Sequence, residues 1–455
     1  MNDYSTFLAS KARSVEKAGI IVRRDAIHKR LFDFQAEIVQ RMLELGRGAI
    51  FASTGLGKTG MQIEWARQVH KHEGVDVLIF APLAVASQTA REAQLLDVNV
   101  AVCREPADIR PGINITNYDR LEKFDLSRFG GVVLDESSIL KSTDGKTRTA
   151  LIEAAQSVRF RLACTATPAP NDVMELGNHA EFLGVMRTAE MLATYFVHDG
   201  GETQKWRLKG HAEKAFWQWV GSWASVVDSP ADLGYDGSAY VLPPLRMHEH
   251  VLDAPPVSDG SSLFALPAAS LMERRSARSV SVETRVAKAA EIMRATPGPW
   301  LVWCGLNREA DAMKSEMPAL VEVRGSDRPE DKESRLIGFS DGTVQSLLSK
   351  PSIAGFGMNW QHCHQMIFIG IDDSWESLFQ AIRRCWRFGQ TEPVDVHLIL
   401  SSAEIRVLEN LKRKERDAGR LRHAMAREAQ VAIKRGSSAY TSSRIELPKW
   451  LNAAS

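Results

Sequence analysis

The feature that most constrains how this chain can fold is a rhythm. From residue 48, short β-branched and apolar runs alternate with stretches of helical spacing: GAIFAS, MQIEWARQVHKH, VDVLIFAP, ASQTAREAQLL. Apolar runs without polar alternation suit strands buried on both faces, as parallel strands covered by crossover helices are. VNVAVC, INITNY, GGVVLDES and RLACTAT continue the series and predict one doubly wound α/β domain over residues 31–180. The alternation resumes near residue 284 with TRVAKAAEIM, PWLVWC, READAMKSEM, ALVEVRG, QSLLSK, QMIFIGI and VDVHLIL, predicting a second α/β domain over residues 241–400. The 455 residues leave room for additions to both, since a domain takes ~150 residues.

Three additions are expected. Residues 1–30 read as an N-terminal helical extension. Residues 181–240 show no clear strand and carry Trp206, Trp217, Trp219 and Trp223, reading as a helical insertion. The spacing in KWRLKGHAEKAFWQWVGSW favours a helix that buries its tryptophans, with bases stacking on the rings as the other reading. Residues 401–455 read as a basic helical tail, because Ser401–Gly436 holds ten Lys or Arg against five Asp or Glu. DAPPVSDGSSLFALPAAS has the composition of a loop or insertion.

Composition excludes several classes. Hydrophobic residues at 44% and charged residues at 25% are ordinary for a globular protein and rule out a disordered or collagen-like chain. Cys103, Cys164, Cys304, Cys363 and Cys385 are odd in number and never spaced as CxxC, which argues against a disulfide framework or thiolate zinc site and for a reducing interior. The start is polar, and nowhere do 18 apolar residues run together, so a soluble cytoplasmic protein with no membrane association is expected. The net charge of +1 looks adverse to a nucleic-acid partner.

Three motifs carry chemistry. In ASTGLGKT, Ala52–Thr59, Thr54, Gly55 and Gly57 form a loop between strand and helix. Its N–H groups can wrap phosphates, with Lys58 for the outer phosphates and Thr59 for magnesium. VVLDESS sets Asp135 and Glu136 at the end of an apolar strand, where one carboxylate can hold the metal and the other activate water. QAIRRCWRFGQ places Arg384 and Arg387 three residues apart, expected on one helix face as arginines reaching a γ-phosphate across a cleft.

With LFDFQ, APLAVASQ, ITNYDRL, TATPAPND, LVWCG and SIAGFGMNWQ in order between and around them, these motifs resemble the superfamily 2 DEAD/DEAH-box helicase series. The similarity is greatest to the Swi/Snf-like branch and its stand-alone phage and prophage members, and it covers residues 31–415. It implies two RecA-like domains and an ATP-dependent DNA helicase or translocase, a nucleic-acid-stimulated ATPase using ATP and Mg2+. DNA, single- or double-stranded, is the implied track, with RNA as a second one. Replication, recombination or defence proteins are the implied protein partners.

By resemblance, Gln35 reads adenine, Asp135 contacts magnesium and Glu136 activates water. Thr165 and Thr167 couple ATP state to nucleic-acid grip. Gly357 and Asn359 meet the nucleotide, and Gln380, Arg384 and Arg387 close on its γ-phosphate. The nucleic-acid contacts implied are Gln88, Thr116, Asn117, Lys141 and Ser352. Arg413, Arg416, Arg420 and Arg427 fall in the equivalent of a brace helix and add phosphate affinity. Ala52, Ser138, Cys385 and Trp386 depart from the usual pattern; Ser138 stands where His or Asp is usual, and Trp386 has a packing role open to it. A motor that releases its track each cycle has reason to avoid strong global charge, which reconciles the net +1 with this function. The other readings are a motor subunit of a restriction or phage-defence complex and a non-hydrolysing nucleic-acid-binding or annealing module.

Overall fold

The computed structural model describes residues 17–82, 85–141, 145–198, 206–253, 281–354, 358–416 and 419. Two parallel sheets organise them. The first contains β1 (Arg47–Ala52), β2 (Val77–Ala81), β3 (Val100–Val102), β4 (Ile113–Asn117), β5 (Gly131–Asp135), β6 (Phe160–Thr165) and β9 (Ala224–Val227), in the order β3-β4-β2-β5-β6-β1-β9. The second contains β10 (Leu245–Leu252), β11 (Trp300–Cys304), β12 (Val321–Val323), β13 (Ser346–Ser349), β14 (Gln365–Ile369) and β15 (Val394–Ser401), in the order β10-β15-β14-β11-β13-β12. The expected α/β layout with two parallel-sheet domains is therefore present.

The central strands β2, β5, β6 and β14 are buried along their whole length, as unbroken apolar runs require. Separate apolar cores fill the two faces of the first sheet, one around Phe80, Phe182 and Trp223 and the other around Ile50, Trp65 and Ile79. Among the described residues, no helix is long and apolar enough to cross a membrane.

The additions differ from expectation in three places. Residues 181–240 are not purely helical: β7 (Phe196–His198) and β8 (Trp206–Leu208) pair as an antiparallel hairpin, and β9 extends the first sheet beside β1. ASVV is short and follows the tryptophan helix without a break, so it carries little period of its own; pairing with β1 makes it a strand. The helix Glu213–Trp223 buries Phe216, Trp217, Trp219 and Trp223, which removes these rings from any stacking surface, while Trp206 is half-buried on the hairpin. The described part of the N-terminal extension, residues 17–30, holds only a 3-10 turn at Arg24–Ala26. Residues 405–416 of the tail are helical and include Arg413 and Arg416; Arg420 and Arg427 lie outside the described residues.

Candidate functional site

The ladder of the first sheet gathers its functional residues. Phe51 of β1 lies opposite Thr165 of β6, and Asp135 of β5 lies opposite Cys164. Neighbouring strands lie ~4.8 Å apart, so the Ala52–Thr59 loop, the carboxylate pair and Thr165 emerge side by side at the carboxyl ends. Open parallel sheets place their ligands there.

The loop turns on two left-handed glycines, Gly55 at φ 94° and Gly57 at φ 77°, and delivers Lys58 and Thr59 into the first turn of the helix Lys58–Glu73. Among the described residues, the N–H groups of Gly55, Gly57 and Lys58 donate to no protein acceptor. The loop and the helix N-terminus thus present free donors with a positive end charge. The Lys58 ammonium donates to the Ala52 carbonyl at 2.8 Å. Burial lowers its pKa from the ordinary value, with the Glu136 and Asp135 charges opposing. Thr54 is partly exposed on the same loop.

Gln35 braces this loop. Its Oε1 accepts the Phe32 N–H at 3.0 Å and its Nε2 donates to the Leu56 carbonyl at 2.9 Å. The amide expected to read a base is thus bonded at both ends to the protein, tying the helix Asp33–Leu45 to the loop.

Asp135 is buried, and burial followed by the charge of Glu136 pushes its carboxyl up to about 7, against the Gln62 side chain and Lys58. Tyr118 donates its hydroxyl to the Asp135 carbonyl at 2.7 Å, fixing the strand end. Glu136 takes φ 55°, a left-handed conformation costing a non-glycine residue ~1–3 kcal/mol and typical of functional sites. The turn sends its side chain toward β6, where Thr165 Oγ1 donates to Oε2 at 3.4 Å. Thr165 Oγ1 also accepts the Thr167 N–H at 3.1 Å. The acidic box and the TAT segment are therefore joined through Glu136. Ser138 is buried, and its neighbour Ser137 pairs with His179 Nε2 at 3.1 Å.

The second sheet contributes from above. Gln380 lies on the helix Trp375–Ile382, but Arg384 and Arg387 follow it in a turn, so the expected common helix face is corrected. Arg384 Nε donates to the Gln380 carbonyl at 3.0 Å, while the Arg384 backbone N–H goes to Ala381 rather than to Gln380, so the helical ladder has lapsed at this residue. Arg384 is held further by Met358 O at 3.2 Å and Gln380 Oε1 at 3.1 Å. Arg387 pairs with Asn359 Oδ1. Trp386 donates to Pro243 O at 2.7 Å and lies under Arg383, 4.5 Å from the ring centre, a packing role; Cys385 is buried.

The two sheets meet at this point. Phe388 rests on Gly55, where an added Cβ would lie 2.8 Å from the Phe388 Cβ. Burial lowers the Arg387 pKa to about 10, helped by Arg384 and opposed by Glu92; burial also lowers Arg384, against the charge of Glu136. Arg387 Nε and Gln380 Nε2 are buried with no partner among the described residues. An orphaned donor costs ~1–3 kcal/mol, and two buried guanidiniums repel each other, so this face fits an anion opposite Lys58. Among the described residues, no three His, Cys, Asp or Glu gather as a metal site. Thr59 and Asp135, at the carboxyl end of the same sheet, are oxygen donors of the kind that could hold Mg2+, which takes only one or two ligands from a protein.

The remaining expected residues divide. Thr116 is 1% exposed and donates to the Cys103 carbonyl at 2.8 Å, so its hydroxyl belongs to the sheet rather than to a surface that could grip nucleic acid. Asn117 is buried at the end of β4, and Gln88 is bonded to Glu92 at 2.8 Å. Ser352 is exposed on the short helix Pro351–Ala354. Lys141 forms an ion pair with Glu376 of the second sheet's domain. Gly357 lies outside the described residues. The sequence reading missed Tyr118, Gln62 and Glu376; their only signals were an aromatic after a strand, a polar residue on a buried helix face and an acid in a first helical turn.

Compared with protein-family models and with curated proteins, the chain matches none.

Proposed function

We propose that this chain is an ATPase driven by nucleic acid, an ATP-dependent DNA translocase or helicase of the superfamily 2 type. One observation carries the reading: Lys58, the Asp135–Glu136 pair and the Arg384–Arg387 pair come from two parallel sheets and lie close enough for their charges to act on one another, with donors on both sides unmatched among the described residues.

Each residue then has a task. The Gly55–Lys58 amides and the Lys58 ammonium hold the phosphates, while Arg384 and Arg387 approach the γ-phosphate from the other sheet and stabilise its developing charge. Glu136, turned toward Thr165 at the end of β5, orients the attacking water. Thr59 and Asp135 would hold Mg2+, which would neutralise phosphate charge there. Gln35 positions the loop at the adenosine side. Since arginines and loop come from different sheets, cleavage alters the contact between them, and Thr165–Thr167 carry that change toward Lys141. DNA, or RNA as a second track, crosses the carboxyl ends of both sheets, in the cytoplasm.

ATP turnover measured without nucleic acid and with single-stranded DNA, duplex DNA and RNA tests this, alongside Lys58→Ala and Glu136→Gln. Stimulation by one polymer and near-complete loss in both variants are expected. Parent-like rates in both variants would place the site elsewhere. Forked duplexes then distinguish strand separation from translocation.

A further inference from the structure

Glu376 is a carboxylate in an odd place. It sits in the first turn of the helix Trp375–Ile382, but that helix is capped by Ser374, whose Oγ accepts the Ser377 N–H. The Glu376 side chain, 7% exposed, instead crosses to the first sheet's domain, where it pairs with Lys141 and accepts from Thr167 Oγ1 at 3.2 Å. Enclosing a carboxylate costs several kcal/mol unless it is paired, and both these partners lie across the domain boundary. Lys141, 40% exposed, and Thr167 are the two residues that the proposed function brings into the coupling of ATP state to a DNA backbone. Glu175, close enough for the charge of Glu376 to contribute, has its carboxyl pushed up to about 7, chiefly by burial, so the neighbourhood disfavours a second negative charge. A hydroxyl and an ammonium converging on one oxyanion are also what a phosphodiester needs.

We propose that Glu376 is a built-in stand-in for a DNA backbone phosphate: without DNA its carboxylate holds Lys141 and Thr167, and a strand phosphate displaces it. The inference rests on the proposed function. The displaced carboxylate frees the helix that carries Gln380 and leads into Arg384, so strand binding reaches the arginines through one ion-pair exchange. The contact acts as a brake: it suppresses turnover off DNA and lowers affinity for the strand by the strength of the internal pair.

The test compares full-length parent with Glu376→Gln and Glu376→Ala, using a single-stranded oligonucleotide, an RNA of the same sequence, and ATP turnover without either. Both variants are expected to bind the DNA ~5–10-fold more tightly, as loss of a competing ion pair allows. The plot of log affinity against log salt should steepen by about 0.7, because without the Glu376 carboxylate the site meets the strand with one more net positive charge. DNA-free turnover should rise in both. Unchanged affinity and salt slope, with turnover on DNA lowered, would make Glu376 a strut between the sheets and overturn the proposal. A tightening confined to RNA would also overturn it as stated. A parent that binds neither polymer would remove the functional reading itself, whereas a parent that binds DNA indistinguishably from its variants removes only the role of Glu376.

Discussion

β1 and β11 each feed a short turn into a helix, and the two turns end in opposite ways. After β1, Gly55 and Gly57 leave their N–H groups and that of Lys58 without acceptors among the described residues. After β11, the N–H groups of Gly305 and Leu306 both donate to Glu309 Oε2, at 2.8 and 2.9 Å. Glu309 is fully buried and paired with the equally buried Arg285 at 2.8 Å. The second domain closes its helix N-terminus with its own carboxylate, whereas the first leaves the equivalent position open to an anion from outside. Similar α/β frameworks thus yield one candidate site and one structural plug, and the difference lies in two glycines, a lysine and the presence or absence of an acid one turn on.

This contrast is most directly broken at the arginines. If the open turn holds a transferable phosphate, Arg387→Ala should lower ATP turnover on DNA by ~10³-fold or more while leaving the urea midpoint unchanged or slightly raised, since a buried, repelled charge is removed. A rate within tenfold of the parent, read by phosphate release, would mean that the second sheet does not complete the site.

The closed turn should behave in the reverse sense. Glu309→Gln removes the charge paired with the buried Arg285 guanidinium and weakens the plug, which is expected to cost ~3–5 kcal/mol, visible as a lowered urea midpoint, with turnover per folded molecule little changed. Were Glu309→Gln as stable as the parent, the plug would be incidental and the comparison between the turns would lose its basis.

Much of this contrast was legible in the sequence, and the reasons for the remainder are physical. VDVLIFAP, GGVVLDES and QMIFIGI are buried on both faces and so announce themselves as strands. LRMHEHVL does not: β10 is an edge strand, half exposed, made a strand by pairing with β15 along its whole length. The glycine loop, the carboxylate pair and the arginines were found from local chemistry. The arginines' backbone was not, because the helical ladder lapses at Arg384, whose side chain bonds back to Gln380, and spacing cannot show that. Thr116 followed a motif position whose hydroxyl the sheet retains. Glu376 and Glu309 are ordinary helical acids until the fold supplies their partners.

A pH experiment sharpens the cost of keeping the first turn open. The Asp135 carboxyl, at about 7 in the folded chain, lies above its unfolded value. The folded state therefore binds the extra proton between roughly pH 4 and 7, and this group's contribution to stability falls as pH rises through that window. Above pH 7 the buried charge costs ~2–4 kcal/mol. Asp135→Asn should match the parent near pH 4, exceed its stability by that amount at pH 8, and lose turnover. Equal urea midpoints at pH 8 would show that the carboxylate is already compensated without a metal.

The smallest effect expected distinguishes the turns by backbone alone. No residue of the Gly305–Leu306 turn takes a positive φ, whereas Gly57 does at 77°, and a Cβ there would come within 2.3 Å of Gln35 Nε2. Gly57→Ala therefore combines left-handed strain with displacement of the amide that braces the loop, a cost of ~1–2 kcal/mol. If the loop geometry serves phosphate binding, the loss should appear chiefly as a raised KM for ATP, with the urea midpoint falling only modestly. Adding Gln35→Ala should then cost less than its effect in the parent, because the contact is already disturbed. Full additivity in that cycle would show that Gln35 and Gly57 act independently, and that the open turn owes its shape to the glycines alone.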